Sequence, residues 1–165
     1  MRSWWSPLSR RMAIVREVHR RGDTVLFTKS FCVALATPLL LRLPLPYLET
    51  LLEWNDAGRP PRARENPDAI AATVLEMLRA GRPLVRAGCL TRGLTLYYFL
   101  RRAGADVVLT FGMGRVSGGD GFEGHCWLVL DGEPYLEPRD PRLDYATMYS
   151  FRRIAAAQGL RASGG

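Results

Sequence analysis

Cysteine is scarce in this sequence, which has three in 165 residues: Cys32, Cys89 and Cys126. An odd number without a Cys-x-x-Cys pair argues against a disulfide framework and against a four-ligand zinc site. The first residues, Arg2 to Pro7, lead into a charged amphipathic stretch and not into the apolar core of a secretory signal. The longest mainly apolar run, Phe31 to Leu41, covers about 11 residues, fewer than the ~20 that span a bilayer. We therefore expect a cytoplasmic protein in a reducing compartment.

Lysine is scarcer still, since Lys29 is the only one and all the other residues among the 23 basic ones are arginines. The net charge of +7 is compatible with nucleic-acid binding, but the arginines form scattered pairs and no single stripe mixed with aromatic residues. Arginine together with abundant Ala, Gly, Leu and Pro is typical of a GC-rich bacterial genome. We therefore predict no nucleic-acid partner and assign the arginines to solvated faces, with an anionic partner surface as the alternative.

The composition is that of a globular chain, with 47% hydrophobic and 24% charged residues and enough length for a core. Three regions are predicted: a helical N-terminal extension over 1–60, a core over 61–150, and a C-terminal helix with a flexible tail over 151–165. In the first region, Gly22 ends one helical segment. Asp23 and Thr24 can cap a second segment, which Pro38 is expected to break or kink. An arginine- and proline-rich linker follows at 58–64.

Two helices are well marked in the core region. Asn66 is a favourable N-cap for the first, Pro67 fits its first turn, and Gly81 ends it. Its apolar face consists of Ile70, Val74, Met77 and Leu78. The second helix is predicted from Cys89 to Ala103, with Gly104 as its C-terminal stop.

Antiparallel strands are predicted after these helices. Strands over 106–111 and 125–130 flank a Gly-rich loop at 112–124, and a third strand passes through 135–136. The Asp-Gly pair at 131–132 is a hairpin signal between the last two strands. Helices followed by an antiparallel sheet indicate an α+β fold.

Cys89 is a candidate nucleophile. It follows Gly88 and opens a helix, where backbone N–H groups and the positive end of the helix dipole favour a thiolate. Arg86 and Arg92 lie close in sequence and would add to this effect. The alternative is a small packed residue, because unpaired cysteine is among the most buried residue types.

His125 is the candidate base. It follows the Gly-rich loop and starts a predicted strand, which places it at the end of the sheet, whereas His19 lies in a charged helix where a surface position is expected. A cysteine nucleophile needs a base within hydrogen-bond distance, and the 36 residues from Cys89 to His125 leave room for a helix, a strand and a loop. The alternative is a packed or surface histidine.

A carboxylate that could orient His125 is sought nearby. Asp131 lies six residues further along the same strand, roughly 20 Å away, and has a sufficient role in the turn. The hairpin brings Glu137 back to the level of His125. A regular two-residue turn would place Glu137 on the opposite face of the sheet unless a bulge intervenes, and Pro134 makes such an irregularity plausible. Asp140 and Asp144 are alternatives.

The remaining features receive structural interpretations. Cys126 and Cys32 are expected to pack in the core, and Trp127 shares the face of His125 and is expected to pack beside it. A metal site built on His125 lacks a fourth ligand with suitable spacing. The Gly-Met-Gly of 112–114 lacks the third glycine and the following helix of a dinucleotide site. We predict no cofactor.

Residues 88–104 (GCLTRGLTLYYFLRRAG) and residues 124–137 (GHCWLVLDGEPYLE) form two recognisable blocks. The first resembles the nucleophile helix of lasso-peptide leader peptidases. The second resembles their histidine hairpin, usually His-Ala-Trp-Val-Glu-x-Asp-Gly. With the strand between the two blocks, the resemblance covers Asp68 to Pro138.

The resemblance implies a transglutaminase-like, papain-related core with a Cys-His-Asp triad. Carried over to this chain, Cys89 is the nucleophile and His125 is the base. The acid of the family falls about where Glu137 stands, so Glu replaces the usual Asp. Cys126 in place of Ala is a second, milder departure.

The resemblance also implies a thiol protease that removes the leader from a ribosomally synthesised lasso-peptide precursor. An asparagine-synthetase-like cyclase would then close the macrolactam. Fused members of the family carry a strand-rich leader-recognition domain, whereas residues 1–60 of this chain are predicted to be helical. We therefore expect a separate leader-recognition protein to deliver the precursor.

Two other interpretations stay open. The same residues would serve a transglutaminase or amidase that acts on another peptide. A catalytically inactive module could instead bind a peptide, or lie against a membrane through the apolar region 31–52. Burial of that region in the core is the preferred interpretation, so membrane contact is not expected.

Overall fold

The computed structural model describes residues 5–54, 66–82, 84–116 and 120–151. The linker predicted over 58–64 and the C-terminal helix and tail predicted after residue 151 lie outside these ranges. The chain divides into two compact units, one up to Asp106 and the other from Val107 onward. Helices make up the first unit and a four-stranded antiparallel sheet makes up the second, so the fold is α+β as predicted.

Three helices cover the described part of the N-terminal region: α1 (Trp5–Arg21), α2 (Thr24–Leu40) and α3 (Leu45–Trp54). Gly22 separates the first two with a φ of 80°, which is the left-handed conformation that glycine adopts most readily. Pro38 was expected to end or kink the second helix, but α2 continues past it to Leu40. Pro38 lies in the last turn of α2, and only two helical residues come after it. The disturbance that proline causes in a helix is therefore confined to the helix end.

Asp23 stands at the N-cap position of α2, but its side chain makes no capping hydrogen bond, so its predicted capping role is wrong. The Asp23 carboxylate instead accepts a hydrogen bond from Thr73 Oγ1 at 3.3 Å. This contact links the start of α2 to a helix 50 residues away.

Helices α4 (Pro67–Ala80) and α5 (Cys89–Arg102) agree with the sequence analysis. The Asn66 side chain accepts a hydrogen bond from the Asp68 backbone N–H at 3.0 Å, which confirms it as the N-cap of α4. Gly104 follows α5 with a φ of 81°, as expected of a helix stop. Helices α2, α4 and α5 pack against one another, and the predicted apolar face of α4 is buried.

The apolar region 31–52 is divided between core and surface. Ala34 and Leu48 are buried, whereas the following residues are exposed: Leu35, Leu39, Leu43, Tyr47 and Leu51. Cys32 is exposed too, so its predicted core position is wrong. At 100° per residue, Cys32 points roughly 200° away from the buried Ser30. Within the described ranges, no helix combines the length and the apolar character needed to cross a membrane.

The second unit contains strands β1 (Val107–Arg115), β2 (Phe122–Leu130), β3 (Glu133–Tyr135) and β4 (Ala146–Ser150), in the spatial order β3-β2-β1-β4. The two long strands pair from Val107↔Leu130 to Arg115↔Phe122. They therefore take up most of the loop predicted over 112–124, and β2 begins three residues before His125. The glycines there had suggested a loop, but backbone pairing outweighs their low strand propensity.

The predicted hairpin turn is present, since Asp131 and Gly132 have φ values of 51° and 92°. Both values belong to the two-residue turn that matches the twist of paired strands. The third strand was predicted to pass through Tyr135 and Leu136. It contains Tyr135, but β3 ends there and Leu136 lies outside it. Strand β4, on the other edge of the sheet, was not predicted.

Candidate active site

Cys89 is the first residue of α5 and is half-buried. Gly88 precedes it as the N-cap residue with extended backbone angles, φ −78° and ψ 173°, and without a side-chain cap. The N-terminal end of a helix carries partial positive charge, which favours the thiolate form of a cysteine at this position. From Thr91 to Leu100 the helix is largely buried, which holds its start in place.

His125 and Glu137 meet in the second unit. His125 Nε2 lies 3.2 Å from Glu137 Oε2. The side chain of Glu137 is only 7% exposed and that of His125 is 22% exposed. The carboxylate is therefore shielded from solvent, and the imidazole is partly accessible. A carboxylate in this position can hold an imidazole in one orientation and one protonation pattern.

Leu136 explains how Glu137 reaches the face of His125. The β2–β3 register pairs Leu128 with Tyr135, and its regular continuation would place Glu137 opposite Cys126, on the wrong face. Leu136 interrupts the register with a φ of 61°, in the left-handed region that non-glycine residues rarely adopt. This one residue supplies the irregularity that the sequence analysis required.

Two aromatic rings flank the imidazole of His125. The Trp127 ring lies 6.1 Å from it between centroids and is stacked at 18°. The Tyr145 ring lies 5.1 Å from it at 35°. Trp127 was expected beside His125 and its position is confirmed, whereas Tyr145 was missed because it follows an irregular segment. We refer to Trp127 and Tyr145 as the ring pair.

The space for the ring pair comes from two glycines of β1. Gly112 pairs with His125 and Gly114 pairs with Glu123, so both glycines lie on the His125 face of the sheet. A Cβ added at Gly112 would lie 2.7 Å from Trp127 Cζ3, and one added at Gly114 would lie 2.8 Å from Tyr145 Cδ1. The Gly-x-Gly spacing on one strand face was the sequence signal that could have indicated bulky neighbours.

The other carboxylates considered for this role have different partners. Asp144 pairs with Arg139, and Asp140 pairs with Arg142 at 2.8 Å. The hydrogen bond from Arg142 lowers the pKa of Asp140 below its ordinary value. Asp131 lies in the turn, as expected. Among the carboxylates considered, Glu137 is the one that the structure places against His125.

The described residues contain no group of three or more His, Cys, Asp or Glu side chains arranged to hold a metal ion. Cys126 is buried in the sheet, as predicted, at 1% exposure. The structure thus brings His125 and Glu137 together within the second unit. Cys89 begins α5 in the first unit.

Comparison with known proteins supports the architecture. The family model described as the transglutaminase-like superfamily matches residues 32–150, which include Cys89, His125 and Glu137. No curated protein and no solved structure matches the chain. Members of this superfamily are in general cysteine-protease-like enzymes. Because the match covers well over half of its length, the chain belongs to the transglutaminase-like superfamily.

Proposed function

We propose that this protein is a cysteine peptidase that removes the leader from a ribosomally synthesised lasso-peptide precursor. Cys89 is the nucleophile, His125 is the general base and acid, and Glu137 orients His125. The proposal assigns the reaction to the bacterial cytoplasm, where the thiol stays reduced. It follows the resemblance of residues 88–104 and 124–137 to the leader peptidases.

The observation that carries the proposal is the 3.2 Å contact between His125 Nε2 and Glu137 Oε2. With Glu137 ionised, Nε2 carries the proton, and this N–H donates a hydrogen bond to the carboxylate. Nδ1 is then the unprotonated nitrogen, which is the form that can accept a proton from a thiol. The longer side chain of Glu thus fulfils the role of the usual Asp, because the backbone at Leu136 brings it within reach.

The first half of the reaction is acyl transfer to Cys89. Its thiol proton passes to His125 Nδ1, and the sulfur attacks the carbonyl carbon at the cleavage site. The peptide C–N bond breaks, and the imidazolium returns its proton to the departing amine. The leader remains attached to the sulfur as a thioester, and the rest of the peptide leaves with a new amino group.

The second half of the reaction is hydrolysis. His125 takes a proton from water, the resulting oxygen nucleophile attacks the thioester, and the C–S bond breaks. The imidazolium returns its proton to the departing sulfur, which restores the thiol, and the leader leaves as a carboxylic acid that ionises in water. Backbone N–H groups at the start of α5 are suited to stabilise the oxyanion in both halves.

The proposal includes partners that complete the pathway. A separate leader-recognition protein presents the precursor, and an asparagine-synthetase-like cyclase uses the newly released amino group to close the macrolactam. The described part of the N-terminal region consists of the helices α1, α2 and α3. We assign leader recognition to a separate protein because these helices differ from the strand-rich recognition domain of fused leader peptidases.

Mass spectrometry of a precursor from the same gene neighbourhood, incubated with the recognition protein, tests the proposal. Wild-type protein is expected to release the leader, whereas Cys89→Ala releases none. Cys126→Ala is the matched control, since it removes a thiol beside His125 and should retain cleavage. Leader release by folded Cys89→Ala would refute the assignment.

The superfamily match gives a second candidate, a transglutaminase or amidase that uses the same residues on another peptide. In that case an amine, and not water, accepts the acyl group from Cys89. Adding a primary amine to the same assay separates the two functions. An amide adduct in place of the free leader carboxylate would favour the second candidate. Folded protein that binds the precursor but forms neither product would indicate a binding module.

A further inference from the structure

Tyr145 lies against both His125 and Trp127. Its ring lies 5.1 Å from the imidazole and 6.4 Å from the Trp127 ring, measured between centroids. The imidazole thus lies within a group of three mutually close rings, on the face that also holds Glu137. Offset and tilted arrangements of this kind are favourable for aromatic pairs.

The Tyr145 hydroxyl fixes the position of the ring. It donates a hydrogen bond to Glu123 Oε1 at 2.7 Å. Glu123 precedes His125 by two residues on β2, so both side chains project from the same face of the strand. Tyr145 is therefore held by the strand that carries the imidazole, and a shift of the ring would break this hydrogen bond.

Gly114 leaves the room that this position requires. It pairs with Glu123 across the β1–β2 ladder. A Cβ at this position would meet the Asp144 carbonyl oxygen and, at 2.8 Å, Tyr145 Cδ1. The ring of Tyr145 therefore occupies the volume of a side chain that Gly114 lacks.

We propose that Tyr145 is a positioning residue for His125, held by Glu123 and accommodated by Gly114. Its ring restricts rotation of the imidazole, so that Nε2 stays directed at Glu137 and Nδ1 stays available to the thiol. This inference rests on the proposed function only for its catalytic consequence. The restriction of the imidazole is a property of the second unit and can be measured without substrate.

Nitrogen-15 NMR of the histidine rings tests the restriction directly. The chain has two histidines, so the spectrum of a His19→Asn variant assigns the signals of His125. In the wild type we expect Nε2 to carry the proton of the neutral ring. In Tyr145→Leu the ratio of the two tautomers should change by roughly two- to tenfold, the effect expected of one lost aromatic pair.

Tyr149→Leu is the matched control. Tyr149 is a half-buried ring of the same unit that contacts Phe111 and Phe151, at 6.5 and 5.9 Å between centroids. Its loss should lower stability and leave the His125 signals unchanged. An equal change in both variants would show only a general loosening of the sheet and would overturn the proposal, as would unchanged His125 signals in Tyr145→Leu.

Tyr145→Phe decides the case if Tyr145→Leu does not fold, because it keeps the ring and removes only the bond to Glu123. We expect a smaller change of tautomer ratio in the same direction, and wild-type signals in this variant would overturn the proposal. In the cleavage assay, Tyr145→Leu should lower kcat roughly 10- to 100-fold with little change in KM. If wild-type protein cleaves no precursor, the proposed function fails, while the NMR result still judges the role of Tyr145.

Discussion

The two units of this protein place the proposed nucleophile and the proposed base by different means. In the first unit, Cys89 owes its position to the start of α5, a local event marked by Gly88 and by the apolar residues that follow. In the second unit, His125 depends on groups that are distant in sequence: Glu137 twelve residues later and Tyr145 twenty residues later. A nucleophile can therefore be held by one helix terminus, whereas the base here needs several strands and their irregularities.

Within the second unit, the largest expected effect comes from removing the proposed base. Because His125→Ala eliminates proton transfer without altering the helices of the first unit, leader release should fall by roughly 10,000-fold or more. His19→Ala is the control, since His19 is exposed and hydrogen-bonds to Thr24 in the helical unit. Quantitative mass spectrometry of the leader measures both rates. Cleavage by His125→Ala at the wild-type rate would refute the role of His125 as the base.

Replacing the acid should have the next largest effect. In Glu137→Gln, the amide N–H can donate a hydrogen bond to Nε2 and thereby favour the tautomer with its proton on Nδ1. Cleavage should then fall by roughly 100- to 10,000-fold. Glu137→Asp keeps the charge but shortens the side chain, and we expect an intermediate rate. Asp144→Asn is the control because Asp144 pairs with Arg139. A larger loss of cleavage in Asp144→Asn than in Glu137→Gln would show that Glu137 is not the acid.

The backbone at Leu136 gives a smaller, more specific effect. Leu136 has a φ of 61°, a conformation that β-branched side chains oppose and asparagine tolerates. Leu136→Ile should therefore destabilise the protein by about 1 kcal/mol and slow cleavage, because Glu137 moves away from His125. Leu136→Asn should retain both. Urea denaturation and the cleavage assay test this pair, and equal behaviour of the two variants would contradict it.

The smallest effect is expected at the ion pairs of the exposed turn. The hydrogen bond from Arg142 lowers the pKa of Asp140, so this contact stabilises the folded protein above the ordinary pKa of Asp and is lost as the pH falls through the lowered value. Arg142→Gln should thus lower Tm slightly at about pH 7 and not at about pH 2. Thermal melts at both pH values measure this, and a larger loss at low pH would reverse the sign of the argument.

The contrast between the units also shows what could be predicted from sequence. Helix α4 and the start of α5 were predicted because caps and stops act within a few residues, as at Asn66 and Gly104. The strand ends around His125 were misplaced, since Gly112 and Gly114 resemble loop residues until their partners on β2 are known. The position of Glu137 required a bulge, which was expected at Pro134. Pro134 instead keeps its regular pairing with Val129, and the irregularity lies at Leu136, which no local preference of leucine indicates.

The position of Tyr145 beside His125 could not be predicted from the sequence either. Its contact with His125 depends on the path of residues 136–145, where a short 3₁₀ turn, Pro141–Leu143, lies between β3 and β4. A capping hydrogen bond from the Arg142 backbone N–H to Asp140 starts that turn. Local rules can explain such a turn once it is seen, but they do not indicate which strand face the next aromatic ring will cover.

The proposal to be tested first is that His125 and Glu137 activate the thiol of Cys89. Alkylation by iodoacetamide, followed by mass spectrometry at each cysteine, measures this without a substrate. Cys32 is exposed and serves as a reference within the same molecule. We predict that half-buried Cys89 reacts faster than Cys32 in the wild type, and that His125→Ala and Glu137→Gln reduce its rate to that of Cys32 or below. Equal rates at the two cysteines in the wild type, or a Cys89 rate that His125→Ala leaves unchanged, would contradict the account.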